Sequence, residues 1–232
     1  MTKALYIPDD LLIRQQTVAF HDDFVADLDT NIWTTTATDS GTATVGDVSN
    51  GTLVLAPSDG TVADNDEIYV SLANEVFLFA ANKPGYVAAR IQFTEANTDD
   101  ANVIFGVADA PIADTLVDNG AGPKASYSGA VFFKVDGSNV WQCENSISTT
   151  QKTTTTTTTA GGSSFQLLEI EWRPKTSTLM DVIFKVDGVE VAKHVDQTYT
   201  SATEMKVFVG AKNGAGNNES IVVDFIQFAK TR

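Results

Sequence analysis

The sequence predicts an all-β protein, a jelly-roll β-sandwich of two antiparallel sheets preceded by an N-terminal arm. Three observations carry that expectation. Behind Phe165, Gln166, Leu168, Ile170 and Trp172 alternate with Leu167, Glu169 and Glu171, the period-two pattern of a strand with one face in a core. Asp187-Gly188 separates two further alternating runs, 179–186 and 189–192, and a tight type I′ turn requires positive φ at both central positions. No long helical period interrupts the short extended runs, which places the chain in the all-β class.

The elements follow in order. Residues 1–19 form the arm, in which Leu5, Tyr6, Ile7, Leu11, Leu12 and Ile13 surround a Pro8-Asp9-Asp10 break. Residues 9–16 suit a short helix with Asp9 or Asp10 as N-cap. The arm carries more aliphatic side chains than a free tail needs, so it either packs back on its own domain or docks on a partner. The domain, residues 20–232, opens with His21-Asp22-Asp23-Phe24 and continues through strands expected at 52–55, 67–72, 86–93, 103–108, 130–135, 140–143, 205–211 and 219–228. The meander of 165–192 loses its first strand at Arg173-Pro174, because proline cannot donate to a ladder. Phe133-Lys134-Val135-Asp136-Gly137 echoes Phe184-Lys185-Val186-Asp187-Gly188; one echo is a hairpin pattern used twice and not a repeat architecture. The unbroken threonines 153–159 read as an exposed ribbon or loop with nothing apolar to choose a register, or as a projection touching a neighbour or a glycan.

Composition narrows the function. A chain of 232 residues buries about 70% of its unfolded surface, enough for a core without disulfides, and its one cysteine, Cys143, permits no internal bridge. The net charge of −15 argues against nucleic acid and anionic membranes as partners, since phosphate binding needs clustered Lys and Arg. The start of the chain lacks a signal-peptide pattern, and no apolar run approaches the ~20 residues of a membrane helix.

Candidate chemistry is sparse. Glu169 and Glu171 share a strand face about 6.6–6.8 Å apart, a spacing at which two carboxylates can cleave a glycosidic bond; solvated outer-face carboxylates are the competing reading. The loops Asn97-Thr98-Asp99-Asp100 and Asp114…Asp118-Asn119 offer oxygens of the kind calcium takes, but neither is an EF-hand, and turn chemistry explains both. No other metal or cofactor is expected. His21 and His194, the only histidines, lack spaced ligand partners, and no Gly-x-Ser-x-Gly nucleophile turn is present. Cys143 reads as a small buried apolar group. Trp33 and Trp172 fall on core faces, whereas Trp141, Tyr127 and Tyr86 are the aromatic candidates for stacking on sugar rings. The glycine-rich stretches 119–123 and 213–218 do not precede helices and are therefore loops, not phosphate cradles.

The spacing of Asp22-Asp23-Phe24, Leu28-Asp29 and Trp33, with Ile221-Val222-Val223-Asp224-Phe225-Ile226 near the end, resembles the concanavalin A-like lectin/glucanase superfamily. The resemblance covers about residues 20–229 and implies a sandwich whose first strand lies beside its last. The Glu-x-Asp-x-x-Glu pattern of laminarinase-type glucanases is missing, which speaks against an enzyme. Residues 95–106, 122–130 and 199–205 resemble proteins encoded beside capsid genes in tailed bacteriophages. That resemblance implies a capsid-decoration or head-fibre protein, made in the host cytoplasm and carried on the virion surface. Its expected partners are the major capsid protein and copies of itself, as a homotrimer, with the arm docking on the shell. A carbohydrate-binding module or phage adhesin for surface glycans is the alternative.

Overall fold

The computed structural model describes residues 17–46, 48–58, 60–95, 100–199 and 203–232. The arm residues Leu5, Tyr6, Ile7, Leu11, Leu12 and Ile13, the expected 9–16 helix and most of the 97–100 loop lie outside the described residues. Among the described residues there is no helix, hence none long and apolar enough to cross a membrane.

In chain order the strands are β1 (Thr17–Asp22), β2 (Trp33–Ala37), β3 (Thr42–Val45), β4 (Leu53–Ala56), β5 (Glu67–Leu72) and β6 (Phe77–Leu78). Then come β7 (Gly85–Phe93), β8 (Ala101–Ala108), β9 (Leu116–Val117), β10 (Gly122–Pro123), β11 (Gly129–Lys134) and β12 (Val140–Ile147). The last six are β13 (Thr150–Thr159), β14 (Gly162–Pro174), β15 (Leu179–Val186), β16 (Val189–Thr198), β17 (Glu204–Asn213) and β18 (Ile221–Thr231). Sheet I runs β16-β15-β14-β7-β18-β4-β3 with β1 added along β18; sheet II runs β13-β12-β11-β8-β17-β5-β2 with β6 added along β17. Every pairing is antiparallel. The structure is the two-sheet antiparallel sandwich that the alternating runs predict.

The meander is built as its residues dictate. β14 turns Leu168, Ile170 and Trp172 into the core. Asp187 and Gly188 make the β15–β16 turn with φ of 51° and 77°, the handedness that matches strand twist. Asp187 Oδ1 accepts from Leu167 N at 2.8 Å, locking the turn to β14. First and last strands are neighbours, with Phe20 opposite Phe228 and Asp22 opposite Ile226. The Asp-Asp-Phe motif marks the end of that first strand rather than its middle. Asp22 accepts from Phe24 N at 2.9 Å and from the Trp33 indole at 2.7 Å, so one carboxylate ties β1 to the start of β2. Thr17, Val18 and Ala19, placed in the arm by the sequence reading, are ladder partners of Thr231, Lys230 and Ala229.

The threonine run finds a register after all. It forms the edge strand β13, bulged between Thr155 and Thr159. Inside the bulge the Thr156 hydroxyl donates to Trp141 O at 2.7 Å and accepts from Thr158 N at 3.1 Å. A buried hydroxyl, not an apolar side chain, selects the pairing.

At the β1/β18 end an aromatic cluster fills the core. Trp172 meets Phe77 and Phe79 edge-on with centroids 5.5 and 5.6 Å away, and Phe77 meets Phe228 at 5.0 Å. The indole lies against the backbone of Gly85, where an added Cβ would stand 2.0 Å from Trp172 Cζ2. Gly85→Ala is therefore expected to cost about 1–3 kcal/mol by overpacking. Urea unfolding checks it; an unchanged midpoint means the ring moves aside freely.

The central strands of sheet II are covered on both faces, and its edge strands β13 and β2 are largely exposed. β5, β8 and β11 are buried along their whole length, because residues 109–128 cross the outer face as a strap carrying the β9–β10 hairpin. Leu116 and Tyr127 of the strap form a second apolar cluster with Tyr69, Ile104, Val131 and Phe208. Among the described residues sheet I has no such cover. Its outer face carries ion pairs instead, among them Arg90–Asp224 at 2.6 Å and Arg173–Glu171 at 2.6 Å.

Candidate functional site

The open face of sheet I collects the most varied surface chemistry around Tyr86. Tyr86 stands second in β7, out of step with the inward-facing Val87, Ala89 and Ile91, so its ring rises from the outer face. Its hydroxyl donates to Glu169 Oε1 at 3.0 Å and accepts from Gln227 Nε2 at 3.4 Å. Burial, more than the opposed effects of Gln227 and Glu169, pushes the phenol up to about 12, so it stays a donor at any physiological pH. On the β18 side, the His21 ring lies 5.2 Å from that of Phe225. His21 is opposite Gln227 in the ladder, which brings an imidazole, a phenyl ring, an amide and a phenol to one patch. One hollow of about 350 Å³ is lined by His21, Tyr86 and Gln227, and a second of about 350 Å³ by Tyr86, Glu171 and Lys185.

Of the aromatic residues expected to stack on sugars, only Tyr86 reaches the surface. Trp141 is a correction. It is fully buried, meets Phe93 and Phe132 edge-on, and spends its indole N–H on Gln166 Oε1 at 3.0 Å. Its parity with Cys143 carried this signal, since residues two apart share a face. Tyr127 is the second correction. It is 3% exposed, turned from the strap down onto sheet II with its hydroxyl on Glu144 Oε1 at 2.9 Å. Nothing local in the sequence announces that cover. Cys143 is buried as expected, and burial pushes its thiol far up, which removes thiolate chemistry. His194 is a packing residue, fully buried with Nδ1 2.5 Å from Asn145 Oδ1 and Nε2 2.9 Å from Thr154 Oγ1. The platform residues the sequence reading missed, Phe225 and Gln227, follow from the β1–β18 register.

Similar folds exist among solved structures. The chain superposes on an endo-1,3-beta-glucanase from Streptomyces sioyaensis with a TM-score of 0.62 and 17% identity, covering 98% of this chain and 99% of that one. It matches peanut lectin with a TM-score of 0.62 and 13% identity over 93% and 98% of the two chains. The Emp47p carbohydrate recognition domain matches with a TM-score of 0.60 and 15% identity over 92% and 96%. The fold is that of the concanavalin A-like lectins and glucanases. No family model matches the sequence, and no curated protein matches it.

Within this concanavalin A-like sandwich the acidic groups are already engaged. Glu171 accepts both Nε and Nη2 of Arg173, at 2.6 and 2.9 Å, with Lys185 3.7 Å away. Glu169 holds the Tyr86 hydroxyl and Gly188 N, the latter at 3.1 Å. The two carboxylates lie on one outer face, as the alternation predicts, but point into separate networks. The Asp114…Asp118 loop belongs to the strap, where the ammonium of Lys212 occupies the oxygen set proposed for calcium. It lies 3.3 Å from Asp114 Oδ1, against Asp118 Oδ1, and 3.0 Å from Leu116 O. Among the described residues no group of three or more His, Cys, Asp or Glu could hold a metal.

Proposed function

We propose that this protein is a non-catalytic glycan-binding sandwich whose binding face is the groove around Tyr86. The observation that supports the reading most is the contrast between the two outer faces. The strap covers the middle of sheet II, over β5, β8 and β11, while among the described residues sheet I is open where Tyr86, His21, Phe225, Gln227 and Glu169 meet. An aromatic ring beside amide, carboxylate and imidazole groups fits a sugar, which offers an apolar ring face and a rim of hydroxyls. The engaged states of Glu169 and Glu171 favour binding over hydrolysis, because glycosidase chemistry needs one free acid and one free base or nucleophile across the scissile bond.

A glycan array followed by calorimetry on the best ligand tests this. Tyr86→Ala is expected to weaken binding by about tenfold, equivalent to about 1.4 kcal/mol, with unchanged circular dichroism. Silence across the array sinks the proposal. So does turnover of a β-glucan that Glu169→Gln or Glu171→Gln abolishes.

A second reading rests on the strings at 95–106, 122–130 and 199–205, which resemble capsid-linked phage proteins. In it the sandwich decorates a virion, with Leu5, Tyr6, Ile7, Leu11, Leu12 and Ile13 docking on the major capsid protein and copies assembling as a trimer. Mass spectrometry of purified particles should then find about as many copies as of the shell protein. A handful would place it in the tail instead.

A further inference from the structure

The hollows of the Tyr86 groove do not end on sheet I. The first shares Tyr86 and Ala229 with the second, and the second shares Lys230 and Thr231 with a third, of about 200 Å³, at the end of the sandwich. Lys83, Lys230 and Arg232 line this end cavity, with Trp172 beside them. Three cations together are unusual on a chain of net charge −15. Among the described residues none of the three forms an ion pair.

Burial, then the neighbouring charges of Lys83 and Arg232, pull the Lys230 ammonium below its usual range against a smaller opposite pull from Glu204. Lys83 and Arg232 are exposed, and the Lys230 ammonium donates to Val76 O. Two carboxylates line the same cavity, Glu75 and Glu204, and Glu75 is 3.6 Å from Lys206. Among the side chains of the lining, three cations outnumber two carboxylates by one, a balance that favours an anion over a cation there. The Trp172 indole is 1% exposed, and its Nε1 has no hydrogen-bond partner, an arrangement that costs free energy.

We infer that the end cavity seats the carboxylate of a uronic acid residue, so that the ligand of the groove is an acidic glycan. This rests on the glycan reading of the Tyr86 face and adds the ligand's class to it. A guanidinium fork and two ammonium groups match the planar, monoanionic carboxylate. The volume fits as well, since a water claims about 30 Å³ and the cavity holds about six or seven, close to a single sugar ring. The groove supplies the path for the adjoining neutral residues past Lys185 toward Tyr86 and His21.

The test follows the Trp172 indole N–H resonance in the ¹⁵N-labelled full chain. Glucuronate, glucose and acetate are titrated at matched ionic strength, then uronate-bearing and neutral oligosaccharides. Glucuronate is expected to shift the resonance saturably, glucose not at all, and acetate with affinity weaker by about tenfold or more. Lys230→Met and Arg232→Gln should each weaken glucuronate by about tenfold and leave the rest of the spectrum folded. The absence of a saturable glucuronate shift overturns the inference, as does acetate binding as tightly as glucuronate. Neutral oligosaccharides that bind as well as uronate-bearing ones overturn it while preserving the Tyr86 reading. A glucuronate shift without any oligosaccharide binding, unaffected by Tyr86→Ala, removes the groove reading and leaves the cavity's ligand assigned.

Discussion

Replacing Lys212 by methionine lowers the unfolding free energy by about 3–5 kcal/mol and Tm by roughly 10 °C. Lys212 is 1% exposed on the outer face of sheet II, and Glu67, 2% exposed, is 3.3 Å from it. Burial alone pulls the ammonium's pKa down, and Asp118, Glu67 and Asp114 more than reverse that pull, so the group is charged as well as buried. Methionine keeps most of the volume and removes the charge. Glu67 would keep its donors, Tyr69 Oη at 2.8 Å and Asp114 N at 2.9 Å, but lose its counter-ion while itself remaining buried. The same substitution frees the strap, because Lys212 also holds Leu116 O at 3.0 Å. Amide exchange within residues 109–128 should therefore rise before global unfolding. Adding Glu67→Gln should restore part of the loss, since the uncompensated charge leaves with it. A variant as stable as the parent, with an unchanged strap, means the network contributes nothing.

Acid weakens the sandwich well above the range where exposed carboxylates titrate. His194 joins the two sheets from the middle of β16. It reaches Asn145 on β12 and Thr154 on β13, with the Phe184 ring of β15 at 5.3 Å. Burial first, and the Lys152 charge second, lower its pKa from 6.5 to about 4. The folded protein thus binds the proton less readily than the unfolded chain. The stabilisation is complete above about pH 6.5 and is lost as pH falls toward 4, a change of about 3 kcal/mol at about 1.4 kcal/mol per unit. Urea midpoints from pH 7 to 4 measure it, and His194→Gln isolates it, because glutamine can hydrogen-bond without taking a proton. The parent should lose stability faster than the variant across that window. Parallel slopes would show that the imidazole protonates without resistance.

Much of the fold was legible because alternation is a local signal. Residues 165–192 announced three strands and a turn, and the strand expected at 67–72 is β5 to the residue. Strands rich in small polar residues were harder. β3 and β13 bury few apolar side chains, and β13 takes its register from Thr156, whose partner Trp141 O is a main-chain atom with no sequence signature. The site was legible only in part. Tyr86 sits outside because β7 alternates cleanly, and the same logic applied to Cys143 would have placed Trp141 inside. Tyr127 could not be read that way. Its burial depends on a strap whose anchor, Lys212, is far away in sequence from Asp114 and Leu116. The end cavity likewise joins Lys83 to Lys230 and Arg232 through the β7–β18 pairing, a long-range contact.

Amide chemical-shift mapping with the tightest oligosaccharide from an array tests the central claim most directly. The account predicts perturbations along the outer face of sheet I, at Tyr86, Glu169, His21, Phe225 and Gln227, running toward Lys230, with the strap silent. Shifts confined to residues 109–128 and the outer face of sheet II, with Tyr86 and its neighbours unmoved, would contradict it.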